Sequence, residues 1–242
     1  MTPIFKAYIE VSSEFRKSNA SQKSVEKLYD LCYELEKSPR NYDENFVLCN
    51  AYFLLGLYRS AYEIFKTIAD TTKPKEVAKL YVWEQKAKSH ENNFAIKDLR
   101  QFRTKKPKIN FNLNDFYLSD KENTYFYNKN EVIIFNKSLK TEKFSVFVYQ
   151  NYGFKAYFEQ ISAYLAYLSD CKTELIAFFN EKMNEQVDAD WYDALDIFGA
   201  KLGVGANGNL FAEIALGDTL FPDHILDIEL DNQIFTSISL DG

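Results

Sequence analysis

The chain has 242 residues, 46% hydrophobic and 26% charged, with 29 Lys+Arg against 35 Asp+Glu and a net charge of −6. That apolar content excludes a disordered chain, and the acidic balance argues against a nucleic-acid binder, whose footprint is basic. Three cysteines and two histidines leave no disulfide framework and too few ligands for a clustered metal site.

Residues 1–10 are interrupted by Lys6 and Glu10, unlike a signal peptide. No apolar run approaches the ~20 residues of a membrane span. Cys32, Cys49 and Cys171 are odd in number and far apart, so they read as free thiols in a reducing cytoplasm. Abundant Phe, Tyr, Lys, Asn and Ile fit an A+T-rich, bacterial genome.

The first elements are helical. A helix is expected around Ile4–Phe15. Val25, Leu28, Tyr29, Leu31, Cys32 and Leu35 recur at three- and four-residue steps, which predicts a second. A third runs from about Asn45 to Leu57, with Phe46, Val47, Cys49, Asn50, Phe53 and Leu54. A fourth carries Ala61, Ile64, Phe65 and Ile68 and stops before Pro74. A fifth runs from Val77 to Ala87, and a sixth follows Asn92-Asn93 through Phe94, Ala95, Leu99 and Phe102.

Leu48, Cys49, Tyr52, Gly56, Tyr58, Ala61 and Phe65 are spaced so that small residues let two antiparallel helices approach while aromatics fill the gaps. Over residues 42–75 this pattern resembles a tetratricopeptide repeat, a 34-residue helix–turn–helix. A degenerate second copy would place Ala95 and Leu99 at the Ala61 and Phe65 positions, with Trp83 and His90 as departures. The resemblance implies a protein-binding groove whose face includes Asn50 and Phe53. The other reading is that these helices only support the rest of the chain.

Lys105-Lys106-Pro107 and the turn formers of 110–115 divide the chain. Two domains are predicted, a helical 1–108 and an α+β 109–242. Charge divides with them. Residues 1–110 carry 20 Lys+Arg and 14 Asp+Glu, 111–150 carry 5 and 5, and 151–242 carry 4 and 16.

Beyond the boundary, 125–127, 132–135 and 144–149 read as strands, with turns at 128–130 and 136–142. Helices are expected on Tyr157, Ile161, Tyr164, Leu165 and Leu168, on Leu175, Phe178, Phe179 and Met183, and on 191–198 with Asp188 or Asp190 as N-cap. Leu210–Leu216 alternates weakly. Residues 223–231 alternate clearly, with Leu226, Ile228 and Leu230 on one face and Asp227, Glu229 and Asp231 on the other. Asp231-Asn232 turns the chain into 234–240. Strands beside segregated helices predict an α+β fold with a mainly antiparallel sheet.

Gly203, Gly205 and Gly208 match G-x-G-x-x-G, and Asp227 lies at a suitable distance beyond. The context is β rather than βαβ, so the glycines are expected to form a turn between strands and bind no cofactor. Asp188, Asp190, Asp193 and Asp196 form a carboxylate cluster without the glycine and glutamate of a calcium loop. Helix capping, a solvated face and partner binding all remain open for it. Asp227, Glu229 and Asp231 repel one another along a strand unless solvated or met by cations. His224 beside Asp223 is a poor dyad, because adjacent strand residues face opposite ways.

The acidic α+β tail and the closing run 223–242 resemble bacterial toxin-immunity proteins. That resemblance implies a non-catalytic protein that binds a basic partner, a cognate toxin such as a nuclease. The partner-binding residues would be Asp188, Asp190, Asp193, Asp196, Asp227, Glu229 and Asp231, with Asn50 and Phe53 if the helical groove serves instead. A tetratricopeptide-type adaptor and an enzyme of another class are the alternatives. No cofactor, metal, nucleic acid or membrane is expected as a partner, and the oligomeric state is open.

Overall fold

The computed structural model describes residues 2–89, 96–119, 123–150 and 152–241. The chain divides into two units, Met1–Arg100 and Gln101–Gly242. The basic stretch goes with the second unit, where the Asn136 side chain accepts from Lys106 N (2.7 Å) and donates to Phe102 O (2.9 Å).

The first unit is built from α1 (Pro3–Lys17), α2 (Gln22–Glu36), α3 (Tyr42–Leu54), α4 (Tyr58–Ile68) and α5 (Pro74–Ser89). Proline opens α1 and α5, where its missing N–H costs nothing. A capping box opens α3: Asn41 accepts from Glu44 N, and the Glu44 carboxylate accepts from Asn41 N. Gly56, at φ 77°, ends that helix in the left-handed region. Val25, Leu28, Cys32, Val47 and Leu48 form one core, and Cys49, Ala61, Phe65 and Trp83 a second. The small Cys49 and Ala61 thus lie where α3 and α4 meet.

The sixth helix expected from residue 92 is corrected over its described part. Positions 90–95, including His90 and Ala95 of the degenerate repeat, lie outside the described residues. Ile96–Leu99 is not helical, and only Arg100–Arg103 (α6) makes a turn. Hydrogen bonds to the helices hold this strap instead. Ile96 N donates to Leu55 O (2.9 Å) and Tyr29 Oη to Ile96 O (2.7 Å). Arg100 bonds Asp98 and, at 2.7 Å, Asp30.

The second unit is an α+β fold. Its strands are β1 (Phe116–Leu118), β2 (Thr124–Tyr127), β3 (Glu131–Ile134), β4 (Lys137–Lys140), β5 (Phe144–Val148), β6 (Asp196–Val204), β7 (Leu210–Gly217), β8 (Ile225–Asp231) and β9 (Ile234–Asp241). Between β5 and β6 come α7 (Phe154–Leu168), α8 (Lys172–Lys182) and α9 (Ala189–Ala194). The seven-stranded sheet has the order β1-β2-β5-β6-β7-β8-β9. Among the described strands only β5 and β6 pair in parallel, and the crossover such a pair needs runs through these helices. β3 and β4 form a separate hairpin.

Two expectations change here. The turn over 136–142 contains strand β4. The reversal is confined to Phe135 and Asn136, both at positive φ (48° and 58°), whose N–H groups bond Leu168 O and Ser169 O at the end of α7. The helix over 191–198 stops at Ala194, because Ile197 already pairs with Leu216 in the sheet.

Alternation sorts the sheet's two faces. Val146, Leu202, Ile214, Ile228 and Phe235 point into a core shared with Ile161, Leu165, Phe179 and Trp191 of the helices and with Val132 and Leu139 of the hairpin. The residues between them form the other face.

Candidate functional site: the outer face of the sheet

The pairing register lays the outward residues in rows across the strands. One row runs Ser145, Lys201, Glu213, Glu229 and Ser237. The next runs Gly199, Ala215, Asp227 and Ser239. A third runs Phe147, Gly203, Phe211, Asp231 and Ile234. Gly199, Ala215 and the serines keep the floor low, and a shallow open trough of about 500 Å³ lies over them beside Lys201, Glu213, Asp227 and Glu229.

The charges on this face are unequal in their engagement. Lys201 Nζ bonds Glu213 at 3.2 Å and lies 5.2 Å from the Phe211 ring centroid. Asp227 is half-buried and Glu229 exposed, and neither carboxylate has an ion-pair partner among the described residues. Asp231 is exposed at the end of β8. Residues 202–242 contain seven Asp or Glu and no Lys or Arg, so β7, β8 and β9 carry one sign of charge, and the cations beside the trough, Lys143 and Lys201, precede them.

The other acidic cluster is built differently. Asp188 caps α9, accepting from Asp190 N (2.9 Å) and Trp191 N (3.2 Å). Asp190 pairs with Arg103 at 3.0 Å. Asp193 is only 3% exposed and pairs with Lys172 at 2.8 Å and Arg103 at 3.9 Å. Its backbone carbonyl accepts from the buried Lys137 Nζ at 2.5 Å. Asp196 is half-buried with an interaction partner of its own. Asp193 is thus an interior charge, satisfied by basic residues from distant segments.

Asn50 and Phe53 are likewise engaged within their own unit. Asn50 accepts from Lys79 Nζ at 3.2 Å. Phe53 stacks on Trp83 of α5, centroids 4.5 Å apart. Lys79 Nζ lies 4.3–4.7 Å from the ring centroids of Phe46, Phe65 and Trp83.

The glycine motif is divided. Gly203 lies within β6, and Gly205 and Gly208 lie in the turn to β7, where Gly208 has φ 81°. Sequence patterning missed Glu213, although the buried Leu210, Ala212, Ile214 and Leu216 around it carry the alternation that turns it outward.

All three cysteines are free and buried, and burial pushes the Cys32 and Cys49 thiols up to about 12. Among the described residues no three His, Cys, Asp or Glu side chains come together as a metal site, and no helix is long and apolar enough to cross a membrane. No protein-family model matches the chain, and no curated protein or solved structure matches it either.

Proposed function

We propose that this is a non-catalytic binding protein whose acidic sheet face docks a basic protein, in the manner of an immunity protein neutralising a cognate toxin. The observation that carries this reading is the pair Asp227 and Glu229. Both stand on the outward face of β8, neither with an ion-pair partner among the described residues, beside Glu213 and Asp231. Like charges gathered on one face cost stability unless a partner neutralises them, and they steer that partner's approach. Glu229 is directly opposite Glu213 in the register, a placement unfavourable for the sheet alone.

The thiols are buried and protonated, and Asp193 is paired in the interior. The helical unit serves as a support in this reading. Its α3–α4 hairpin keeps Cys49, Ala61 and Phe65 at the helix interface, as a tetratricopeptide unit does, but Asn50 and Phe53 are already held by α5.

The test is association kinetics with the protein that copurifies from the native host, at two salt concentrations. Asp227→Lys/Glu229→Lys should slow association, and salt should slow the wild type. Unchanged association together with salt-independent wild-type binding would refute the acidic-face reading.

A further inference from the structure

We infer that β9 is a docking edge, where an extended cationic segment of the partner adds to the sheet as its eighth strand. This rests on the acidic-face reading above and adds the mode of recognition. β9 ends the strand order, and β8 pairs with one side of it from Ile234 to Asp241. Among the described residues no strand pairs with its other side.

An edge strand presents unpaired backbone N–H and C=O groups, and proteins blunt such edges by shortness, proline or lysine. The opposite edge, β1, is three residues long. β9 has eight residues and no Pro, Lys or Arg, and beyond its one bulged residue, Thr236, residues 237–241 run in regular register. It is also preformed. Phe235 is buried and stacks on Phe178 of α8, centroids 5.5 Å apart, so little ordering cost attends the addition of a strand. Ile234, 67% exposed, and Leu240, 40% exposed, offer apolar contact near the two ends.

Charge selects the occupant. With no Lys or Arg in residues 202–242, a second copy paired edge to edge would bring no cation to Asp227 and Glu229. A cationic strand meets the opposite situation. Ser237 is opposite Glu229 and Ser239 opposite Asp227 in the β8–β9 register. On the outer face only these small side chains separate the carboxylates from the edge. An added strand lies about 10 Å from β8, two interstrand spacings. Long Lys or Arg side chains at alternate positions of that strand can lie over the serines towards Asp227 and Glu229. Main-chain hydrogen bonds would provide affinity, and the alternate cations specificity.

The probe is an eight-residue peptide of alternating threonine and lysine, added to the full chain. Controls are its glutamate counterpart and a copy N-methylated at alternate backbone amides. The lysine peptide should bind, slow amide hydrogen exchange within 234–241 several-fold, and weaken as salt rises. The two controls should lose binding. Binding without slowed exchange in β9 overturns edge pairing and leaves the acidic-face reading standing. Equal binding of the glutamate peptide overturns the charge argument, and undiminished binding of the methylated copy overturns main-chain pairing. Absence of binding by all three peptides overturns the docking edge. A dimer of the chain alone, seen by sedimentation and protecting the same amides, overturns it in favour of a second copy.

Discussion

The ring of Phe211 lies against the backbone of Gly203 on the neighbouring strand. A Cβ placed on Gly203 would stand 2.5 Å from Phe211 Cε1 and 3.2 Å from Phe147 O. The glycine of the apparent dinucleotide motif is therefore a seat for an aromatic ring. Gly217 seats Phe198 in the same way, with a built Cβ 2.6 Å from that ring.

Gly203→Ala should destabilise the second unit by about 1–3 kcal/mol, the usual cost of overpacking. The cost should shrink in a Phe211→Ala background, which clears the ring and leaves only the tight approach to Phe147 O. Urea unfolding followed by Trp191 fluorescence in a Trp83→Phe chain measures it, since the protein has two tryptophans, one in each unit. Equal costs in the two backgrounds would reject the seat.

The two carboxylates paired with Arg103 should behave differently. Asp193→Ala should cost about 1.5–3 kcal/mol, the range for hydrogen bonds to charged groups. Asp190→Ala removes an exposed pair and should cost only about 0.2–1 kcal/mol. The same Trp191 unfolding curves give both values, and a smaller loss for Asp193 would contradict its interior role.

Asp98 predicts a pH dependence for the first unit. It is 6% exposed, and the Arg100 guanidinium beside it holds its carboxyl below the usual carboxylate value, with burial opposing. Its stabilisation is therefore fully present above the ordinary value of about 3.9. It is lost as pH falls through the lower folded value. Asp98→Asn should be less stable at pH 7 by about 1.5–3 kcal/mol. Its stability should also fall less steeply in acid than that of the wild type. Trp83 fluorescence in a Trp191→Phe chain reads this, and parallel acid profiles would exclude Asp98 as the source.

Glu229→Gln should make the isolated protein slightly more stable, by about 0.2–1 kcal/mol, because it relieves repulsion from Glu213 directly across the ladder. Added salt should erase the gain. Thermal unfolding at low and high salt checks both, and a loss of stability would mean that Glu229 has a structural partner.

The sequence by itself determined the helical first unit, the outward turn of Asp227 and Glu229, and a reversal after β8, which the structure sets at Asn232-Gln233, both at positive φ, rather than at Asp231-Asn232. These features are local. Three- and two-residue periodicities follow from the backbone geometry of helix and strand, whatever the element later packs against. Only the tertiary structure decided which charges stay outside. Asp193 and Asp227 belong to similar acidic runs, yet Asp193 is covered because Arg103, Lys137 and Lys172 come to it from segments far along the chain. Tertiary pairing also set β4, the early end of α9 and the capture of Asn50 and Phe53 by α5. For α9 and for Asn50 and Phe53 the deciding partner is remote in sequence, and local periodicity carries no information about it; β4 pairs with the neighbouring β3, but the turn between them is held by the end of α7.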